Sequence, residues 1–69
     1  MTKNELKKGV KVWCWWKSRY LYYTGYEGNE TGYNLKTKDY TPRHYYKFED
    51  ICGATTIIYD EQLEKLELR

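Results

Sequence analysis

Residues 9–26 read GVKVWCWWKSRYLYYTGY and hold all three Trp and four of the nine Tyr of the chain. Alternation decides how they fold, because successive side chains of a strand point to opposite faces. Over Val10–Trp16, the residues Val10, Val12, Cys14 and Trp16 share one face, and Lys11, Trp13, Trp15 and Lys17 share the other. Over Tyr20–Tyr26, Leu21 and Tyr23 oppose Tyr20, Tyr22, Thr24 and Tyr26. The pattern predicts two strands of a small β-barrel joined by a basic turn at Lys17-Ser18-Arg19. The first face of the first strand supplies core, while the register of the second stays open, since Tyr suits either side. The aromatic surface left over exceeds what one face of so small a barrel hides, and its purpose is the functional question.

The chain has 69 residues and an aromatic fraction of 19%. That is one domain, near the lower end of what folds without disulfides or metals. Each buried Tyr or Trp removes about 150–250 Å² from water, which offsets the small size. A deep cleft for a large cofactor has no room. The formal charge is +2, too little by itself to indicate nucleic acid. Its distribution is uneven. Residues 1–47 carry ten Lys/Arg against four Asp/Glu, and residues 48–69 carry two against six. Either a basic body ends in an acidic edge, or the acidic segment lies on the basic face and neutralises it. Cys14 and Cys52 match no metal-ligand spacing, and the first residues have no apolar stretch of the secretory type. The expectation is a cytoplasmic chain with free thiols and without a membrane span, metal or cofactor.

Beyond the opening pair, the chain predicts strands near 33–38, 43–48 and 55–59. A loop over 27–32 carries two Gly and an Asn, and a turn over 39–42 contains Pro42. A 3-10 turn over 48–53 would use Phe48 and Ile51 at i, i+3 and close at Gly53. A helix near 60–68 would begin at Asp60 and present Leu63 and Leu66 on one face. An open edge at Arg43–Phe48 would permit strand addition or dimerisation.

Four antiparallel strands, a 3-10 turn and a fifth strand is the order of an SH3-like barrel. Residues 6–51 resemble the Tudor-type branch of that fold through four groups: Gly9, Val10, Val12 and Trp16 (or Trp15); Tyr22-Tyr23-Thr24-Gly25; Tyr33-Asn34-Leu35 with Asp39; and Phe48-Glu49-Asp50-Ile51. The resemblance implies a five-stranded all-β barrel. It also implies a candidate aromatic cage for methylated Lys or Arg, formed by Trp16, Tyr23 and Tyr40 with Asp39 as its polar wall. Cation–π attraction would hold such a ligand. Lys38 and Arg43, beside the cage in sequence, would repel it.

Catalytic groupings are nearly absent. Ser18 is the only Ser and His44 the only His, and neither has an Asp or Glu placed beside it as an orienting partner. The chain reads as a non-enzymatic binding module. Exposed Trp and Tyr are the residue types that dominate protein interfaces. A protein partner is therefore the first reading, with contact through Lys11, Trp13, Trp15, Lys17, Arg19, Lys36, Lys38, Tyr40 and Arg43. Small accessory proteins of bacteriophages and mobile elements have comparable compositions, which is an analogy rather than a deduction. The alternative is single-stranded nucleic acid, with bases stacked on Trp and phosphates met by Lys. A third outcome leaves no site at all, if the C-terminal helix lays Leu63 and Leu66 over Trp13 and Trp15.

Overall fold

The computed structural model describes residues 1–69. Five antiparallel strands form one sheet: β1 (Lys11–Cys14), β2 (Arg19–Asn34), β3 (Asp39–Glu49), β4 (Thr55–Tyr59) and β5 (Glu67–Leu68). Their order across the sheet is β4-β3-β2-β1-β5. The outer strands β4 and β5 do not pair, so the sheet is open where a closed barrel was expected. A 3-10 turn (Lys3–Glu5) precedes β1, and one helical turn, α1 (Asp60–Leu63), separates β4 from β5. No helix is long and apolar enough to cross a membrane.

The core follows the alternation of the opening stretch. Val12, Cys14, Leu21 and Tyr23 are buried with Tyr46, Phe48, Ile58, Leu63 and Leu66, while Val10, Trp16, Leu6 and Met1 pack against this cluster. Each fully buried side chain of this size contributes about 1.5–3 kcal/mol. Tyr46 is inaccessible, yet its hydroxyl donates to Asp60 Oδ1 at 2.8 Å. The polar end of the ring is thereby satisfied. Burial and the neighbouring Asp60 carboxylate together raise the Tyr46 phenol well above its ordinary pKa.

Between Tyr23 and Glu27 the sheet changes character. Tyr23 pairs with Phe48 and Glu27 with Tyr46, so Thr24, Gly25 and Tyr26 stand against Lys47 alone. Thr24 Oγ1 pins this bulge by donating to the Lys47 carbonyl at 2.8 Å. Beyond it, β2 and β3 pair without interruption from Glu27↔Tyr46 to Asn34↔Asp39. β1 pairs β2 only as far as Tyr22, and β4 pairs β3 only from Tyr45 to Glu49. The outer part is therefore a two-stranded arm projecting from a small body.

The arm replaces the loop expected over 27–32, the third strand expected over 33–38 and the turn expected over 39–42. The real turn is Leu35–Lys38, with Lys38 at φ 55°. It is set by Asn34, whose Oδ1 accepts the N–H groups of Lys36 and Thr37 at 2.9 and 3.4 Å. The β1–β2 turn, Trp15–Ser18, has the same length and the same kind of last residue, Ser18 at φ 51°. The glycines misled because they serve clearance instead of turning. A Cβ on Gly28 would lie 2.7 Å from Tyr45 Oη, and one on Gly32 would lie 2.8 Å from Arg43 Cδ. Both cross-strand side chains lie flat over β2 where a side chain is missing. Pro42 is accommodated because this half of β3 has a neighbour on one side only.

Three further expectations are corrected. Residues 48–53 form no 3-10 turn: Phe48 is buried, Ile51 is 88% exposed, and Asp50 Oδ1 instead accepts the N–H groups of Cys52 and Ala54. The terminal helix stops at Leu63, because β1 offers a free edge on which Val12 pairs with Leu68 and Trp13 with Glu67. The segment 55–59 is consequently the fourth strand, and Glu67–Leu68 is the fifth. Finally, β4 covers the Tyr45–Glu49 edge that was expected to be open.

Candidate functional site

The outward residues of β1 and β2 stack in cross-strand pairs, Lys11 opposite Tyr22 and Trp13 opposite Tyr20. The Trp13 and Tyr20 rings meet edge to face with centroids 4.9 Å apart, and Lys11 Nζ lies 4.2 Å from the Tyr20 ring centre. The β3–β4 loop rises beside them and closes one wall. Between loop and strands runs a groove of about 530 Å³ lined chiefly by Trp13, Tyr20, Tyr22, Ile51 and Cys52. Arg19 and Asp50 also line it and form an ion pair at 3.1 Å. The Asp50 carboxyl is held below its ordinary pKa, first by the Ala54 N–H, then by the Cys52 N–H and the Arg19 charge. The loop is thus fixed by its own Asp, and Ile51 is held outward at the rim.

Trp15 does not share this face. It lies in the β1–β2 turn, 58% exposed, with its ring edge-on to Trp16 at 5.6 Å. Gln62 and Lys65 adjoin that pair in a smaller hollow of about 170 Å³. Lys17 occupies the same turn. Leu63 and Leu66 face the core rather than Trp13, so the helical turn does not lid the groove.

The remaining basic residues predicted for the surface lie on the arm. Lys36 and Lys38 are in its terminal turn, and Tyr40 meets Tyr33 edge to face at 5.3 Å. Leu35, at the tip, is 81% exposed. Arg43 lies 3.7 Å from the Tyr59 ring centre and 2.7 Å from Glu61 Oε1, clasping the arm to the body. The predicted surface is therefore two surfaces at opposite ends of β2.

The candidate cage residues are not brought together. Tyr23 is buried against Phe48 at 5.3 Å, while Trp16 packs on the core from the first turn. Tyr40 lies six ladder steps beyond Glu27, about 20 Å along the strand. Asp39 turns its Oδ1 to the N–H of Tyr40.

Ile51, Cys52, Tyr20 and Tyr22 complete the groove without having been singled out for a site. Tyr20 and Tyr22 were legible as outward residues of the second strand. The loop residues were not, since the expected 3-10 turn puts Ile51 inward. The structure also supplies partners for His44 that lie far away in sequence. Asn29 Oδ1 is 2.8 Å from Nδ1, Glu27 Oε1 is 3.5 Å from Nε2, and the Tyr46 ring is edge-on at 4.9 Å. None of the four hollows in the surface is lined by His44. The cluster joins arm to body. No group of three or more His, Cys, Asp or Glu side chains is arranged to hold a metal ion.

Comparison with protein-family models, with curated proteins and with solved structures returns no match to this chain.

Proposed function

We propose that the chain is a non-enzymatic module that binds a protein partner in the groove formed by Trp13, Tyr20, Tyr22 and Ile51. One observation carries the reading. The groove is concave and mostly apolar, and Ile51 stands 88% exposed at its rim while Tyr20 is 42% exposed. Rigid aromatic side chains beside an exposed aliphatic one suit an apolar anchor from a partner, because little side-chain entropy remains to be lost.

Charge favours protein over nucleic acid at this place. Lys11 is engaged by the Tyr20 ring and Arg19 by Asp50, and Glu49 stands opposite Tyr22 in the ladder beside the groove. Phosphates would meet two carboxylates and few free cations. The strand order, with a helical turn between the fourth and fifth strands, supports an SH3-like arrangement of the sheet. The distance of Tyr40 from Tyr23, and the packing of Tyr23 and Trp16 in and against the core, give no support to a methyl-lysine cage.

The test is affinity capture from lysate, with and without nuclease, followed by titration of the purified captured protein. Ile51→Glu should retain the wild-type amide spectrum and bind at least tenfold more weakly. Unchanged affinity, or capture that disappears with nuclease, would remove the groove from the binding surface.

A further inference from the structure

The sheet has several unpaired backbone edges, and all but one are guarded. The β3 half of the arm carries Asp39, Pro42 and Arg43, and the β2 half carries Glu27 and Glu30 with Gly28 and Gly32. β5 is two residues long and flanked by Arg69. Charge, proline and shortness are the means by which soluble sheets discourage edge pairing. The β4 edge has none of them. From Gly53 to Tyr59 the sequence is GATTIIY, with no charged residue and no proline, and Thr55 and Ile57 are exposed.

The direction of its backbone groups follows from the hydrogen bonds at its two ends. The Ala54 carbonyl accepts from Asp50 N–H at 3.1 Å, so Ala54 faces β3. Tyr59 N–H donates to Gln62 Oε1 at 3.0 Å, so Tyr59 faces away. Antiparallel alternation then turns the N–H and C=O of Thr55 and Ile57 outward, while Thr56 and Ile58 bond to β3. Four strong hydrogen-bonding groups thus lie along an uncharged β-branched edge.

We propose that β4 is a pairing edge for a second copy of this chain, joined antiparallel across a two-fold axis at Thr56. The register is dictated by which groups are free. With Thr56 opposite the second copy's Thr56, Thr55 faces the second copy's Ile57. The N–H and C=O of both residues are then used, giving four inter-chain backbone hydrogen bonds. A two-fold axis at Ile57 gives two at its centre, and the next pair, Thr55 with Tyr59, cannot use the Tyr59 N–H that Gln62 already holds. No charged residue lies within this ladder, whereas the arm edges carry Glu27, Glu30, Asp39 and Arg43. Thr56, half-buried on the core side, meets its own copy as a Thr–Thr pair, and Ile57 lies against Thr55. The contact is isologous and uses each edge once, so assembly stops at two. It leaves the aromatic groove outside the dimer ladder.

Sedimentation equilibrium of the intact chain, from about 10 μM to about 1 mM, tests this, because a short edge contact is expected to be weak. Wild type should fit a monomer–dimer equilibrium without larger species. Ile57→Lys, which guards the edge with a charge, should weaken dimerisation at least tenfold. Thr55→Pro should do the same, since the N–H it removes faces away from β3. Amide exchange of unmodified protein provides a readout that needs no variant. The Thr55 and Ile57 amides should slow as concentration rises while the neighbouring loop amides do not. A chain monomeric throughout, an open-ended series of larger species, or concentration-independent exchange at these two amides would overturn the proposal. So would a dimer indifferent to both substitutions.

Discussion

The body and the arm are built from the same two strands and are held together differently. In the body, Leu21 and Tyr23 of β2 and Phe48 of β3 enter a cluster closed by Val12, Cys14, Ile58, Leu63 and Leu66. In the arm, β2 and β3 continue for eight paired positions with no third strand beside most of them. Its stability comes from individual cross-strand contacts: Tyr33 on Tyr40, Tyr45 over Gly28, His44 with Asn29, and Arg43 between Tyr59 and Glu61. A lone two-stranded hairpin is marginal in water. The contrast shows one strand serving two regimes, burial in one half and pairwise contact in the other, with the Thr24–Tyr26 bulge as the boundary.

The largest effect should come from the body. Phe48 is inaccessible to solvent, and Phe48→Ala should cost about 3–5 kcal/mol. Chemical denaturation would show this as a large drop in midpoint affecting body and arm signals together. If Phe48→Ala left the body signals unchanged, the division into a cooperative body and a dependent arm would be wrong.

The division also explains what the sequence could disclose. The body was readable because burial imposes period two: Val10, Val12, Cys14 and Leu21 sort correctly without any coordinates, while Tyr23 suits either face until Phe48 is found against it. The arm was not, because its residues answer to partners across the ladder rather than to a core. Gly28 and Gly32 look like turn residues until Tyr45 and Arg43 are found lying over them. Asn34 looks like a strand residue until its side chain is seen to hold the real turn. Half of the groove was legible for the same reason that the body was. Trp13, Tyr20 and Tyr22 alternate outward, whereas Ile51 and Cys52 depend on how Asp50 ties its loop, a local bonding choice that periodicity does not encode.

A smaller effect is expected in the arm. Tyr40→Ala removes one edge-to-face partner and little buried surface, since Tyr40 is 69% exposed. The expected cost is about 0.5–1.5 kcal/mol. It should appear as faster amide exchange between Glu27 and Asp39, with the body amides of Val12, Leu21 and Phe48 unchanged. Equal acceleration in both regions would mean that the arm unfolds only with the body.

The smallest effect, and the most selective, concerns pH. The Glu61 carboxyl is held below its ordinary pKa by its own backbone N–H and then by the Arg43 guanidinium. A carboxyl lowered in the folded state binds protons less readily there than in the open state. Its contribution is therefore present above the unfolded carboxylate range, about pH 4, and disappears as pH falls through the lower folded value. The clasp formed by Arg43, Tyr59 and Glu61 should loosen in that window. Because Glu61 is exposed, the change should be confined to the arm base rather than appear in the global transition. Measured between about pH 5 and pH 2 and corrected for intrinsic exchange, the opening of the Thr41, Arg43 and His44 amides should increase in wild type and be flatter in Glu61→Gln. Asp50 provides the internal control, since its carboxyl is lowered too but serves the groove wall. Asp50→Asn should flatten the acid response of amides 50–54 and leave that of Thr41, Arg43 and His44 in place. If either substitution flattened both regions, acid sensitivity would belong to the molecule as a whole, and the arm would have no separate clasp.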